Sequence, residues 1–306
     1  MTPPYTAQRP AHSSHVPVRG LRYHVNAWGD AALVTSDRPA LLLMHGWMDV
    51  GASFQFVVDA LAAAEGPVRY VVAPDWRGYG LTEGPPTDSY WLPDYLGDLD
   101  ALITALGLVG PIDLLGHSMG GNVVMTYAGL RPARIRRLVN LEGFGMPQTQ
   151  AWHAPKRLVQ WLDQLQEPVT LRTYPSAEAV ADRLMKNNPR LTPDKAAWLA
   201  PRWSRRRADG EWHILGDPAH KRVNPLLSRR EEAIEVWKLI RAPLLWVEGD
   251  ETDTTKWWGD RYPRSDFDER LAVVPEVRRA VLSPCGHMLH HDQPQALAEH
   301  LLAFLR

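Results

Sequence analysis

Hydrophobic positions along this chain switch between two periods. Short, nearly continuous apolar runs at Ala40–Met44, Tyr70–Ala73, Ile112–Leu115 and Leu138–Leu141 have the pattern of strands buried on both faces. Between them, the stretches near Ser53–Ala64, Leu92–Leu106 and Val123–Leu130 repeat their apolar residues at helical spacing. Strands alternating with helices predict a parallel sheet covered by helices on both sides. Ahead of this pattern, Leu21, Tyr23, Val25 and Ala27 alternate with polar neighbours, which predicts one antiparallel strand closed by Gly29-Asp30. Residues 1–15 show no period and are expected to form a loose tail.

The rhythm breaks between Met146 and Trp237. No apolar strand run occurs there, and prolines from Pro147 to Pro225 separate helix-like segments. The strand–helix pattern resumes at Pro243–Val247 and Arg279–Leu282 and finishes with an amphipathic helix over Pro294–Leu305. The expected organisation is a tail (1–15), an α/β core (16–145 and 238–306) and a helical insertion (146–237). Ligands of open α/β sheets bind at the carboxyl ends of the strands, so an insertion there is expected to act as a lid and pocket wall. No internal repeat, coiled coil or low-complexity tract is present.

Composition changes this picture little. A chain of 306 residues, 45% hydrophobic and 23% charged, can build one such core. A formal net charge of −1 gives no reason to expect nucleic acid or an anionic membrane as partner. There is no secretory leader pattern and no apolar run of membrane-spanning length. The single cysteine, Cys285, excludes an internal disulfide and fits a reducing compartment. A soluble, cytoplasmic protein is the expectation.

Candidate chemistry centres on Gly116-His117-Ser118-Met119-Gly120, which falls where a strand gives way to a helix. In that context G-x-S-x-G is a tight turn that lifts a serine hydroxyl above the sheet end, with glycines where flanking Cβ atoms would collide. The helix N-terminus adds backbone N–H groups suited to a developing oxyanion. A serine hydroxyl is a weak nucleophile without a base, an orienting acid and an oxyanion site. His287, just past the last strand, is the candidate base. Met119 N–H and Trp47 N–H, the latter in the turn His45-Gly46-Trp47, are the candidate oxyanion donors. Glu142, Asp250 and Asp253 all follow strands and are candidates for the acid; spacing does not choose among them. His45 and His117 are expected to shape loops. His290 and His291 are expected to be solvated, without companions for a metal site.

Taken together, Leu43–Trp47, Ala73–Gly80, Gly116–Gly121, Gly286–Met288 and Asp292–Pro294 resemble the α/β-hydrolase fold superfamily, in its cap-bearing branch of esterases, epoxide hydrolases, haloalkane dehalogenases and carbon–carbon bond hydrolases. The resemblance implies a mostly parallel central sheet flanked by helices, with a helical cap inserted after the strand ending near Glu142. It also implies Ser118 as nucleophile, His287 as base, and Trp47 and Met119 as oxyanion donors. One position departs from the pattern. The family's usual acid lies three residues beyond the glycine matching Gly249, where this chain has Thr252; Asp253 is one residue late and Asp250 two early. A minority of the superfamily carries the acid after the preceding strand, where Glu142 stands. Glu142 is therefore the expected acid and Asp253 its alternative.

A serine rather than an aspartate nucleophile suits acyl transfer. The expected reaction is hydrolysis of a small, fairly apolar carboxylic ester through an acyl-enzyme, with neither metal nor cofactor. Carbon–carbon bond hydrolysis, perhydrolysis and acyl transfer to an alcohol are alternatives on the same site. A hydrolase-fold protein that binds a small molecule with little turnover is the alternative from another class. Trp152, Trp161, Trp198, Trp203 and Trp212 in the insertion are candidate linings of an acyl pocket, whereas Arg205–Arg207 read as a solvated charge run. Cys285 lies near the site without a base of its own.

Overall fold

A computed structural model describes residues 4–65 and 69–306 of the chain. Its strands are β1 (His12–Val18), β2 (Leu21–Trp28), β3 (Leu41–Met44), β4 (Val71–Pro74), β5 (Ile112–His117), β6 (Ile135–Leu141), β7 (Thr173–Tyr174), β8 (Ser204–Arg206), β9 (Trp212–Ile214), β10 (Leu244–Gly249) and β11 (Val277–Leu282). Eight of them form one sheet in the order β1-β2-β4-β3-β5-β6-β10-β11. The pairs β1–β2 and β2–β4 are antiparallel, and every pairing from β4 onward is parallel.

Alternation along each strand feeds two cores. Leu42, Met44, Val72, Leu114, Leu138 and Trp246 face the helices Leu92–Ala105 and Met119–Leu130. Their neighbours Leu41, Leu43, Val71, Leu115, Val139 and Val247 face the helices Gln55–Glu65 and Pro294–Leu305. With both faces covered, the central strands need no polar side, which explains their unbroken apolar runs. Because the strands after β2 in the sheet run parallel, the segments following β3, β5, β6, β10 and β11 all emerge at one edge.

The tail expectation is corrected by the structure. Residues 12–15 belong to β1, whose backbone ladder with β2 pairs His12 with Ala27 and Val18 with Leu21. Further upstream, the Asp59 carboxylate accepts hydrogen bonds from the Tyr5 hydroxyl and from the Gln8 and Arg9 N–H groups, the latter two at 3.0 Å. Residues 1–3 lie outside the described residues.

The expected absence of strands from the insertion is also corrected. Short strands β7, β9 and β8 form a three-stranded antiparallel sheet beside the helices Ala177–Asn187 and Pro193–Trp203. They bury a third core that includes Tyr174, Val180, Leu184, Ala196 and Leu199. The helix Arg230–Trp237, assigned by pattern to the insertion, packs instead on the α/β core. Its Trp237 belongs to the first core, and Gly129 approaches Val236 so closely that a Cβ there would lie 2.1 Å from the Val236 carbonyl. Polar contacts tie the insertion to the loops at the strand ends: Trp203 to Asp49 (3.0 Å), Gly80 N–H to the Leu215 carbonyl (2.8 Å) and Asn188 to Asp292 (2.7 Å).

Candidate active site

β5 ends at His117 and the helix Met119–Leu130 begins two residues later, with Ser118 alone between them. Ser118 makes the turn with φ +52° and ψ −114°, a conformation that costs a non-glycine residue about 1–3 kcal/mol and is held by its surroundings. Two glycines make the turn possible. A Cβ on Gly116 would lie 2.3 Å from the Gly120 carbonyl oxygen, and one on Gly120 would lie 2.1 Å from the Met44 carbonyl oxygen.

His287 reaches this serine from the loop after β11. Its Nε2 is 2.9 Å from Ser118 Oγ and its Nδ1 is 2.6 Å from Glu142 Oε2. Ionised Glu142 can only accept, so Nδ1 carries the proton and Nε2 is left to accept from the serine hydroxyl. Glu142 is buried at the end of β6 with φ +53°. Two further donors fix its carboxylate: Gly249 N–H at 2.8 Å and the Thr252 hydroxyl at 3.0 Å. Thr252 thus occupies the late-strand place of the acid and serves the early-strand acid as a hydrogen-bond donor.

The alternative acids stand elsewhere. Asp253 accepts from the N–H and hydroxyl of Thr255 and caps the following turn. Asp250 accepts from Ser283 and from Cys285 N–H (2.9 Å), holding the loop that carries His287. Asp292 grips the same loop through Gly286 N–H at 2.9 Å. Of the candidate oxyanion donors, Met119 opens the helix and Trp47 follows Gly46, whose Cβ position lies 3.2 Å from Ser118 Cβ.

His45 and His117 are both buried beneath the site. His45 Nδ1 donates to the Gly46 carbonyl at 2.8 Å, while Nε2 accepts Trp76 N–H at 2.9 Å, so the ring braces the turn before Trp47. His117 Nε2 donates to the His287 carbonyl at 2.7 Å. Burial lowers the pKa of both rings, that of His117 well below the ordinary histidine value.

The expectation of solvated His290 and His291 is corrected: both are buried, packed against Phe54 and Phe56 respectively. They also have a companion, since ligating atoms of Asp49, His290 and His291 lie within 4.8 Å of one another. The Asp49 carboxylate, however, is already engaged by Val50 N–H (2.8 Å), the Ser53 hydroxyl (2.8 Å) and Trp203 Nε1 (3.0 Å). Cys285 is buried, and burial together with the carboxylates of Asp292, Glu142 and Asp250 pushes its thiol up to about 12, which keeps it un-ionised.

Beside Ser118 opens a cavity of about 420 Å³, lined at the core side by Trp47, Met119, Asn122 and Val123. The insertion's tryptophans do not line it. Trp152 is 74% exposed, Trp161 donates to Ser89 Oγ at 2.8 Å, and Trp198, Trp203 and Trp212 pack against the insertion's own core. Trp47, 53% exposed, is the tryptophan that lines the cavity.

This architecture is that of an α/β hydrolase, and the chain belongs to the alpha/beta hydrolase fold family, whose model matches residues 39–294. Among its relatives, the sn-1-specific diacylglycerol lipase ABHD11 of Mus musculus is 37% identical, over 90% of this chain and 82% of that protein. The 3-hydroxybutyrate-oligomer hydrolase of Cupriavidus necator is 31% identical, over 91% of this chain and 90% of its own length. A thioesterase domain from the curacin biosynthetic pathway superposes with a TM-score of 0.80 at 26% identity, covering 95% of this chain and 99% of that domain.

Proposed function

We propose that this protein is a serine hydrolase that cleaves carboxylic esters by an acyl-enzyme route. The observation that carries the reading is the unbroken hydrogen-bond chain from Ser118 Oγ through His287 (2.9 Å) to Glu142 (2.6 Å). His287 Nε2 takes the hydroxyl proton as Ser118 Oγ attacks the acyl carbon. The oxyanion that forms is met by the Trp47 and Met119 N–H groups. Collapse expels the alcohol, which leaves with the proton from His287. Water, deprotonated by the same nitrogen, then attacks the acyl-serine and releases the acid. Throughout, Glu142 stays ionised and stabilises the imidazolium. No step calls for a metal or cofactor. The named activities of the mouse and Cupriavidus relatives, a lipase and a hydroxybutyrate-oligomer hydrolase, support ester cleavage over the alternatives on the same site.

The insertion is proposed to act as the cap that encloses the acyl group, because it meets the core around the cavity beside Ser118. The test is labelling with a fluorophosphonate followed by peptide mass mapping. A single label on Ser118, absent from a folded Ser118→Ala protein that has also lost esterase turnover, is the expected result. An unlabelled wild type that binds small molecules without product would leave the protein a binder.

A further inference from the structure

We infer that the cavity beside Ser118 takes acyl groups ending in a carboxylate, held by Arg157 and Arg222; the inference rests on the ester-hydrolase reading and names the substrate class. The cavity has two walls of different chemistry. Apolar Leu92, Val123 and Met146 line much of it, and among the described residues no aspartate or glutamate does. Arg157 and Arg222, both from the insertion, do line it.

These two arginines are less well matched by carboxylates than the most shielded guanidinium groups of the chain. Three shielded guanidinium groups are closely matched by carboxylates: Arg69 with Asp113 (2.7 Å), Arg77 with Asp98 (2.5 Å) and Arg270 with Asp266 (2.8 Å). Arg222 has a side chain only 13% exposed, yet its one ion partner among the described residues is Asp88 at 3.6 Å, itself 80% exposed. Its other bonds go to neutral carbonyls, those of Gln164 (3.2 Å) and Asp88 (3.0 Å). Arg157 donates Nε to the Asn224 carbonyl and has no carboxylate within 4.0 Å among the described residues. One half-buried cation without a carboxylate partner among the described residues, beside a second whose partner is a long contact to an exposed aspartate, leaves positive potential in a low-dielectric cavity, and a planar guanidinium fork matches a carboxylate with two parallel N–H bonds. An apolar chain with a terminal carboxylate satisfies both walls at once. The exposed Arg206 and Arg207 play no part in this, since neither lines the cavity.

The experiment compares 4-methylumbelliferyl hemiesters of succinic, glutaric, adipic and suberic acid with methyl-terminated esters of equal chain length. Wild type is expected to prefer at least one hemiester in kcat/KM by about tenfold or more, the increment of one charge-assisted hydrogen bond. In Arg157→Gln/Arg222→Gln the ratio of the two rates falls to about one; because it is a ratio within one protein, partial misfolding does not change it. In parallel, calorimetry on Ser118→Ala measures binding of adipate monoamide, which is expected to weaken about tenfold when both arginines are replaced. Equal cleavage of both ester series, or a preference that survives the double substitution, overturns the inference while leaving a serine hydrolase. Arginine-dependent binding of the monoamide without any ester turnover keeps the anion site and removes the hydrolase reading. Absence of both binding and preference removes the anion site.

Discussion

His287 leans on a carboxylate delivered by one strand and steadied by a residue from the next. Glu142 Oε2 lies 2.6 Å from His287 Nδ1 and 3.0 Å from Thr252 Oγ1, so the two residues converge on one point. Glu142→Gln removes the negative charge and turns one of the two accepting oxygens, both engaged by donors, into an NH2 donor; the histidine tautomer is no longer fixed, and kcat is expected to fall on the order of 10³–10⁴-fold with the circular dichroism spectrum unchanged. The convergence also makes the acid transferable. In Glu142→Gln/Thr252→Asp, the new carboxylate starts where the threonine hydroxyl already reaches the site, and about tenfold of the lost kcat is expected to return. A double variant that folds yet stays as slow as the single one would mean that the two positions are not interchangeable supports for His287. The sequence marked Thr252 as the place an acid was missing. Spacing alone could not rank Glu142 above Asp250 and Asp253, because three carboxylates that each follow a strand differ only in which one the folded sheet brings to the histidine; the ranking came from the family resemblance.

The same division between what pattern reveals and what packing decides runs through the strands and helices. The runs at β3, β4, β5 and β6 were legible because a strand buried on both faces must be apolar throughout. β1, His-Ser-Ser-His-Val-Pro-Val, was not, because an edge strand with mostly exposed side chains is held by its backbone ladder and carries no compositional mark. β7, β8 and β9, of two or three residues each, are too short to show a period. Burial of His290 and His291 depends on how a helical turn lodges against Phe54 and Phe56, contacts distant in sequence. The serine turn was readable because its glycines answer to a local steric demand. That demand gives a sharp expectation. In Gly120→Ala the added methyl meets the Met44 carbonyl oxygen 2.1 Å away, so the helix must withdraw from β3, at a cost of about 3 kcal/mol by urea unfolding. Gly110→Ala, whose Cβ has open space within 4 Å, is expected to stay within about 0.5 kcal/mol of wild type. Equal effects of the two would show that the turn accommodates a side chain.

Four of the chain's histidines are held where burial disfavours their charge. His45, His117 and His291 are buried with pKa values lowered by desolvation, and His220 is lowered to about 4, by burial against the opposing pull of Asp217. His220 is stacked between Tyr79 at 3.9 Å and Tyr90 at 3.7 Å, clamping the loop after β4 to the insertion. In the unfolded chain these rings titrate near the ordinary histidine value of about 6.5. Between that value and the folded one, the unfolded state binds more protons, so stability rises with pH across the window and is lost on acidification from about 6.5 toward 4. Above the window the rings are neutral in both states and add no pH dependence. Since His220 has a defined folded value, its share can be isolated. At pH 5 it is expected to account for about 1–2 kcal/mol of lost stability, allowing for partial solvent screening. His220→Phe keeps a ring in the stack but cannot bind a proton. The gap in unfolding free energy between pH 7.5 and pH 5, measured by urea titration, is therefore expected to narrow by that amount in the variant. An unchanged gap would shift the acid sensitivity to the three other lowered histidines, His45, His117 and His291, and couple stability to the ring network around Ser118 instead of to the contact between insertion and core.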